Sequence, residues 1–144
     1  MPMKTNELYN IAEKNNIEIK GFELSKIKST SINIGDDYYI GIDEKNIETT
    51  AEERTHLAHE LGHCMTGSFY NMYSEYDIRA KHEYRADKWA VLNLIPKDKF
   101  INLLKKGYRV WELAEYFEVT EDFIRKAYHL YFDVKMVMSD YSIK

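Results

Sequence analysis

The sequence predicts an α+β fold in which a small antiparallel or mixed sheet packs on a mostly helical body. Short runs that alternate apolar and polar residues fall between residues 17 and 43, and helical periodicity covers most of the remaining chain. A length of 144 residues, without repeats or a Pro/Gly/Ser-rich linker, is typical of one domain. We therefore expect one domain over residues 1–144, with a core over 1–96, a helical subregion over 97–132 and a tail over 133–144.

Composition and charge narrow the class of protein. Hydrophobic residues make up 44% of the chain and charged residues 31%, which is ordinary for a folded domain and argues against disorder. The formal net charge of −4 argues against a general nucleic-acid coat, because such a protein needs a basic surface to displace counterions. A single local basic face remains compatible with this charge.

The cysteine count and the N-terminus indicate a cytoplasmic protein. The single cysteine, Cys64, cannot form an internal disulfide. The first sixteen residues are polar and contain no apolar segment of the kind found in a signal peptide. No run approaches the roughly 18 apolar residues of a membrane span, so we expect no membrane partner.

The first third of the chain contains the strands. Residues 5–15 show helical spacing of apolar side chains, and residues 17–24 alternate in the manner of a strand. Residues 31–35 and 38–43 flank a turn-forming Gly-Asp-Asp and together predict a hairpin.

The central helix has clear start and stop signals. Thr50 and Glu53 have the spacing of a capping box, with the hydroxyl at the N-cap and the carboxylate three residues later. Leu57 and Leu61 then recur on one face, and Gly67 follows the last periodic residue as a natural C-terminal stop. Further helices are predicted over residues 79–94, 97–106, 110–117 and 121–132.

The central helix carries the pattern His-Glu-x-x-His at residues 59–63. The spacing of His59 and His63 puts both imidazoles on one face, one turn apart, where both can reach one tetrahedral ion. Glu60 points around the edge of that face and can contact a metal-bound water instead of the metal. The ordinary alternative is a solvated helix face, but the pattern lies inside a well-capped amphipathic helix, which favours the metal site.

A catalytic zinc site requires a third protein ligand and an open fourth position. One class of site continues as His-x-x-Gly-x-x-His, and this class fails because Gly67 comes one position late and no third histidine follows. The other class takes a glutamate from a second helix, and Glu83 is a candidate. Asp87, four residues later on the same face, can then accept the second ring N–H of a ligand histidine, for which His59 is the candidate.

Three stretches of the sequence resemble the ImmA/IrrE family of HExxH zinc metallopeptidases: ERTHLAHELGH (53–63), HEYRADKWAVLNLIP (82–96) and the preceding YYIGID. The resemblance implies a core similar to that of thermolysin over residues 1–96. It implies His59, His63 and Glu83 as ligands of one Zn²⁺, or of another divalent ion, and Glu60 as the catalytic base. Members of this family are cytoplasmic proteases of bacteria, phages and mobile elements. Several cleave a helix-turn-helix repressor, which makes such a protein the expected partner.

The reaction implied is hydrolysis of a peptide bond, in which a water on zinc attacks the carbonyl and Glu60 acts as general base. The oxyanion usually needs a further donor. Three residues are candidates because they lie between the two metal-binding helices in sequence: His82, Tyr73 and Tyr76. Ordinary roles at the surface or at the edge of the core are the alternative for each.

Two nearby residues are weaker candidates for the metal site. His56 lies close to the metal face, and Cys64 is more readily interpreted as a small buried thiol.

The strand YYIGID (38–43) precedes the metal-binding helix and has two possible roles. Its edge could be free above the metal, so that an extended peptide could pair with it by strand addition. Alternatively, it is a plain sheet strand with both edges covered. The sequence leaves both possibilities open.

The helices predicted over 110–117 and 121–132 resemble a helix-turn-helix and raise a rival function, a DNA- or protein-binding regulator with a structural metal site. Charge argues against DNA binding, because the second helix begins with Glu121 and Asp122, which phosphates repel. Residues 97–144 contain nine Lys/Arg against eight Asp/Glu, which is hardly a basic patch. We therefore expect no direct nucleic-acid binding and interpret the pair as a scaffold or substrate-docking element.

Overall fold

The computed structural model describes residues 2–71 and 73–132, so the predicted tail over 133–144 lies outside the described residues. This part of the chain contains six helices and three consecutive strands, and the α+β class is confirmed. In chain order they are α1 (Thr5–Lys14), β1 (Ile17–Gly21), β2 (Ser29–Ile34), β3 (Asp37–Ile42), α2 (Thr50–Thr66), α3 (Tyr76–Leu94), α4 (Lys97–Lys105), α5 (Val110–Phe117) and α6 (Glu121–Phe132).

The three strands form one mixed sheet in the order β1-β3-β2. β2 and β3 pair antiparallel around Gly35, whose φ of 62° is the left-handed conformation that glycine adopts without strain, and this confirms the predicted hairpin. β1 runs parallel to β3, from Ile17 opposite Tyr38 to Gly21 opposite Ile42.

The outer edges of the described sheet belong to β1 and β2 and not to β3. Because β3 is the central strand, both of its edges are paired, so of the two possibilities left open for the YYIGID segment the structure has the plain sheet strand with both edges covered. Within the described chain β2 pairs with β3 alone, so its outer edge lacks a strand partner. The sequence pattern could not reveal this order, because the order depends on which strand β1 joins across the sheet.

Helix α2 begins one residue earlier than the capping pattern predicted. Thr49 is the N-cap, and its hydroxyl accepts a hydrogen bond from the backbone N–H of Glu52 at 3.1 Å. Gly67 ends the helix as predicted, with a φ of 65°. Helix α3 begins at Tyr76, three residues before the predicted start at Arg79, and ends before Ile95 and Pro96.

Helix α2 lies between the sheet and α3, and the core surrounds it. Ile40 and Ile42 of β3 pack against it from the sheet side, and Val91 and Leu94 of α3 are buried in the same cluster. The backbones of α2 and α3 approach most closely at Gly62. A Cβ added to Gly62 would lie 2.3 Å from the carbonyl oxygen of Ala86, so only glycine fits there. This close approach brings the side chains of the two helices within reach of each other.

The C-terminal helical pair is attached to α2 by hydrogen bonds to its connecting turn. The fully buried Arg54 donates from Nε to the carbonyl oxygen of Glu118 at 2.8 Å and from Nη2 to that of Phe117 at 3.2 Å. The backbone N–H of Thr120 donates to Oγ1 of Thr55 at 3.2 Å. The turn between α5 and α6 is thus held by the helix that carries the His-Glu-x-x-His pattern.

None of the helices described in the structure is long and apolar enough to cross a membrane.

Candidate metal centre

Helices α2 and α3 bring together the three side chains that the sequence singled out as ligands. Nε2 of His59 lies 2.7 Å from Oε2 of Glu83 and 3.2 Å from Nε2 of His63. Nε2 of His63 lies 3.4 Å from the same carboxylate oxygen. Ligand atoms about 2.0–2.1 Å from a tetrahedral ion are separated from one another by about 3.3 Å. The three atoms therefore have nearly the spacing that a single metal ion requires.

The second nitrogen of each imidazole is already engaged. Nδ1 of His59 contacts Oδ1 of Asp87 at 2.7 Å, and Nδ1 of His63 contacts the carbonyl oxygen of Ser68 at 2.5 Å. A carboxylate and a carbonyl only accept hydrogen bonds, so both imidazoles donate through Nδ1. Nε2 is therefore the nitrogen of each imidazole that faces the common point, and it can ligate a metal ion once any proton on it has been displaced.

The third candidate ligand is oriented by a tyrosine that the sequence analysis did not select. The hydroxyl of Tyr70, in the segment between α2 and α3, donates to Oε1 of Glu83, while Oε2 faces the imidazoles. The ring of Tyr70 also stacks on His82, with the centroids 6.2 Å apart. Tyr70 is one of several tyrosines in an irregular segment without a motif, so nothing in its spacing distinguished it.

Glu60 lies beside the three candidate ligands and contacts the sheet. Its side chain is buried, with 6% of its surface exposed. The hydroxyls of Ser29 and Ser31 in β2 donate to its two carboxylate oxygens, at 2.7 Å and 2.8 Å respectively. The carboxylate of Glu60 is therefore held next to the cluster by β2 and is not one of the three grouped ligands.

A cavity of about 590 Å³ opens between β2 and the two helices, and the candidate ligands and Glu60 line it. The edge strand and the chain before it form one wall, and α2, α3 and the connecting segment form the other. Its lining residues are Lys26, Ile27, Lys28, Ser29, Thr30, Ser31, His56, His59, Glu60, His63, Phe69, Tyr70 and Glu83.

The three predicted oxyanion donors lie outside this lining. Tyr73 is 88% exposed and Tyr76 is 45% exposed, and neither they nor His82 are among the described residues that line the cavity. Tyr70 is the aromatic hydroxyl that the fold places there instead. Cys64 is buried, and burial raises the pKa of its thiol to about 12.

Charges around the cluster shift the pKa values of two candidate ligands. Burial lowers the pKa of His59, but hydrogen bonds to Asp87 and Glu83 outweigh burial and raise the pKa of this imidazole. Burial raises the pKa of Glu83, whereas hydrogen bonds from His59, His63 and Tyr70 outweigh it and hold the pKa of this carboxyl well below its usual range. The carboxyl of Glu83 is thus ionised, and His59 carries a proton that a metal ion at this site would have to displace.

Helix α6 reaches the same cluster through Asp87. Nζ of Lys126 lies 3.3 Å from Oδ2 of Asp87, whose other oxygen contacts His59. The Asp87 side chain is 4% exposed and that of Lys126 is 48% exposed. The C-terminal helical pair therefore contributes a cation to the surroundings of the candidate metal centre.

Comparison with known proteins gives one match. A family model described as the IrrE N-terminal-like domain of peptidase family M78 matches residues 12–129 of the chain. This range contains every candidate ligand, Glu60 and most of the C-terminal helical pair. No curated protein and no solved structure matches the chain.

Proposed function

This chain belongs to peptidase family M78, and we propose that it is an endopeptidase that hydrolyses peptide bonds with a divalent metal ion held by His59, His63 and Glu83. Peptidases of this family depend on a metal. The observation that carries the proposal is the convergence of one atom from each of the three side chains within 4.8 Å.

The donor set fits a catalytic zinc ion. Two imidazoles and one carboxylate are a ligand set used by zinc hydrolases, which keep a fourth position open for water or substrate. Each candidate ligand is oriented by a further hydrogen bond, His59 by donating to Asp87, His63 by donating to the Ser68 carbonyl and Glu83 by accepting from Tyr70. This supports a site formed before the metal binds. When bound, the ion would supply a Lewis acid for the scissile carbonyl and lower the pKa of a water molecule. Another divalent ion could serve with the same ligands.

Glu60 is the group we assign to proton transfer. Its carboxylate lines the same cavity as the candidate ligands without belonging to the grouped ligand atoms. In the proposed reaction it accepts the proton of the attacking water and later delivers a proton to the leaving amine. Its burial limits competition from bulk water for that carboxylate.

The free edge of β2 is the surface we assign to the substrate backbone. Residues 26–31, which include the first half of β2, line the cavity beside Glu60 and the ligands. An extended peptide that pairs with this edge would gain backbone hydrogen bonds and lie over the cavity. Hydroxyls, amines and Ile27 along this wall offer both polar and apolar contacts to substrate side chains.

We further propose that the substrate is a helix-turn-helix repressor of a phage or mobile element. The resemblance of residues 53–63 and 82–96 to the ImmA/IrrE family supports this partner. The C-terminal helical pair supports a role other than DNA binding. Its second helix begins with the exposed acidic residues Glu121 and Asp122, and Arg125 is paired with both. The partner is therefore proposed to be a protein and not a nucleic acid.

Two measurements test this function together. Elemental analysis of the purified chain is expected to find one zinc, or another divalent ion, per chain. Glu60→Gln is expected to keep that ion and lose cleavage of a repressor encoded beside the gene, by about a hundredfold or more. A Glu60→Gln protein that keeps its metal and still cleaves at the wild-type rate would overturn the proposed mechanism.

A further inference from the structure

We propose that Ser29 and Ser31 of β2 are positioning residues that hold the carboxylate of Glu60 for proton transfer, and that His56 orients the Ser29 hydroxyl. This inference rests on the proposed function, because it assigns a role to the residues around the proposed base. It adds Ser29, Ser31 and His56 to the candidate active site, which so far consists of the three candidate ligands and Glu60.

The two serines reach Glu60 because of their spacing on a strand. Residues two apart on a strand face the same side of the sheet. Ser29 lies opposite Ile42 and Ser31 opposite Ile40 in the β2–β3 pair, so both serines face the helices together with these buried isoleucines. From there Ser29 donates to Oε2 of Glu60 and Ser31 to Oε1. Each oxygen of the carboxylate thus receives one hydroxyl, and rotation of the group is restricted.

His56 completes the arrangement one turn before Glu60. Its Nδ1 lies 3.2 Å from Oγ of Ser29. A serine hydroxyl has a single proton, and that of Ser29 is donated to Glu60, so Nδ1 of His56 is the donor in this contact. Burial lowers the pKa of His56, which is consistent with a neutral imidazole protonated on Nδ1. The order of donation is therefore from His56 to Ser29 and from Ser29 to Glu60.

Neutral donors suit a general base better than cations. A hydroxyl fixes the direction of a carboxylate without the strong charge pairing that an ammonium or guanidinium group supplies. Lys28, which precedes Ser29 in the chain, forms its ion pair with Glu52, and the two serines are the side chains that donate to Glu60. Correct orientation of a reacting group is a large part of catalysis, and a small misplacement can cost about a hundredfold in rate.

The position of β2 gives these contacts a further consequence. The strand that holds Glu60 is also the one whose outer edge is assigned to the substrate backbone. The same strand would then contact both the substrate backbone and the carboxylate of Glu60. These contacts would keep the distance between substrate and base constant during small movements of the sheet relative to α2. Loss of the serine hydroxyls should affect the chemical step more than the binding of substrate.

Steady-state kinetics of Ser29→Ala/Ser31→Ala on the repressor used above tests the role. The double variant should lower kcat by about ten- to a hundredfold and leave KM within about twofold. Ser29→Thr/Ser31→Thr, which restores both hydroxyls, should recover most of kcat. Asn33→Ala is the matched control, because Asn33 is exposed on the same face of β2 and lies beyond the residues that line the cavity.

A double-mutant cycle supplies a readout that is independent of cleavage. Thermal unfolding is compared for the wild type, Ser29→Ala/Ser31→Ala, Glu60→Ala and the combined variant. The serine substitutions should lower Tm by about 2–4 °C in the wild type and much less when Glu60 is absent. Additive shifts would overturn the inference, because the serines would then act without Glu60.

The outcomes separate this inference from the proposed function. An inactive Glu60→Gln together with a fully active serine variant would overturn the positioning role and leave the peptidase proposal in place. A fully active Glu60→Gln would overturn the peptidase mechanism and with it the kinetic role of the serines. A kcat loss that the threonine variant recovers, with non-additive unfolding, would support both.

Discussion

Oδ1 of Asp87 lies 2.7 Å from Nδ1 of His59, and this contact joins α3 to α2 directly behind the candidate metal ligands. Asp87 is almost fully buried, with 3% of its surface exposed. A buried carboxylate in this position sets the tautomer of the imidazole and increases its strength as a ligand. The relation between these two residues links the folding of the helix pair to the affinity for the metal.

Asp87→Asn is expected to weaken metal binding by about ten- to a hundredfold. The amide keeps the shape of the side chain but removes the negative charge that favours donation from His59. A competition titration with a chromophoric chelator would measure the change. Asp77→Asn, on the exposed first turn of the same helix, should leave the affinity unchanged. Equal affinities for wild type and Asp87→Asn would contradict the role of this carboxylate.

Lys126→Met is expected to strengthen metal binding by less than about tenfold, because loss of this cation leaves more of the negative charge of Asp87 to favour ligation by His59. Lys126 contacts the other oxygen of Asp87, but its side chain is half exposed, so solvent screens its charge. Lys126→Arg, which keeps the charge, and Arg125→Met, which alters a neighbouring cation paired with Glu121 and Asp122, should both bind the metal about as tightly as the wild type. An effect of Arg125→Met as large as that of Lys126→Met would mean that general surface charge, and not the contact with Asp87, is responsible.

Gly62→Ala is expected to destabilise the protein by roughly 3 kcal/mol, at the upper end of overpacking costs. Helix propensity alone would predict a gain of about 1 kcal/mol, so the sign of the change is informative. The added methyl group would meet the backbone of Ala86, which cannot move away without separating α2 from α3.

Chemical denaturation of the metal-free Gly62→Ala protein measures this effect on the free energy of unfolding. Gly21→Ala is the control, because a Cβ there would lie 3.5 Å from the side chain of Glu44, an ordinary contact. A stabilised Gly62→Ala variant would show that the helices do not approach each other as closely as described.

Tyr70→Phe is expected to weaken metal binding by up to about tenfold, because the variant removes the hydrogen bond that fixes Oε1 of Glu83. The phenyl ring keeps the stacking on His82, so stability should change little. Tyr73→Phe, which removes the hydroxyl of a side chain that is 88% exposed, should bind the metal as the wild type does. A larger loss of metal affinity for Tyr73→Phe than for Tyr70→Phe would contradict the role of the Tyr70 hydroxyl in orienting Glu83.

Metal binding at pH 7 is expected to release about one proton. The pKa of His59 is raised by Asp87 and Glu83, so the imidazole is protonated at pH 7, and a metal ligand must be neutral. Affinity should therefore increase with pH through the neutral range. Calorimetry in two buffers of different ionisation enthalpy would count the protons, and Asp87→Asn should release fewer. Binding without proton release would contradict the raised pKa of His59.

Local sequence patterns were sufficient to predict most of the secondary-structure elements. The hairpin, the stop at Gly67 and the helical pair in the last third lie where the sequence places them, because turns, caps and periodicity are properties of neighbouring residues. The cap of α2 differed by one residue, since Thr49 and Thr50 are both good caps and the path of the chain before the helix decides between them.

The sequence by itself determined the chemistry of the cluster: two histidines four residues apart on one helix, and a glutamate and an aspartate four residues apart on another. It could not determine which tyrosine approaches Glu83, which strand lies at the edge of the sheet beside the cavity, or that two serines donate to Glu60. The side-chain contacts among these relations join residues 13 to 31 positions apart, and each depends on how a strand or a loop packs against α2 or α3. Spacing along a helix is fixed by its pitch, whereas contacts between elements are fixed only when Gly62 allows the helices to meet and the sheet closes over them.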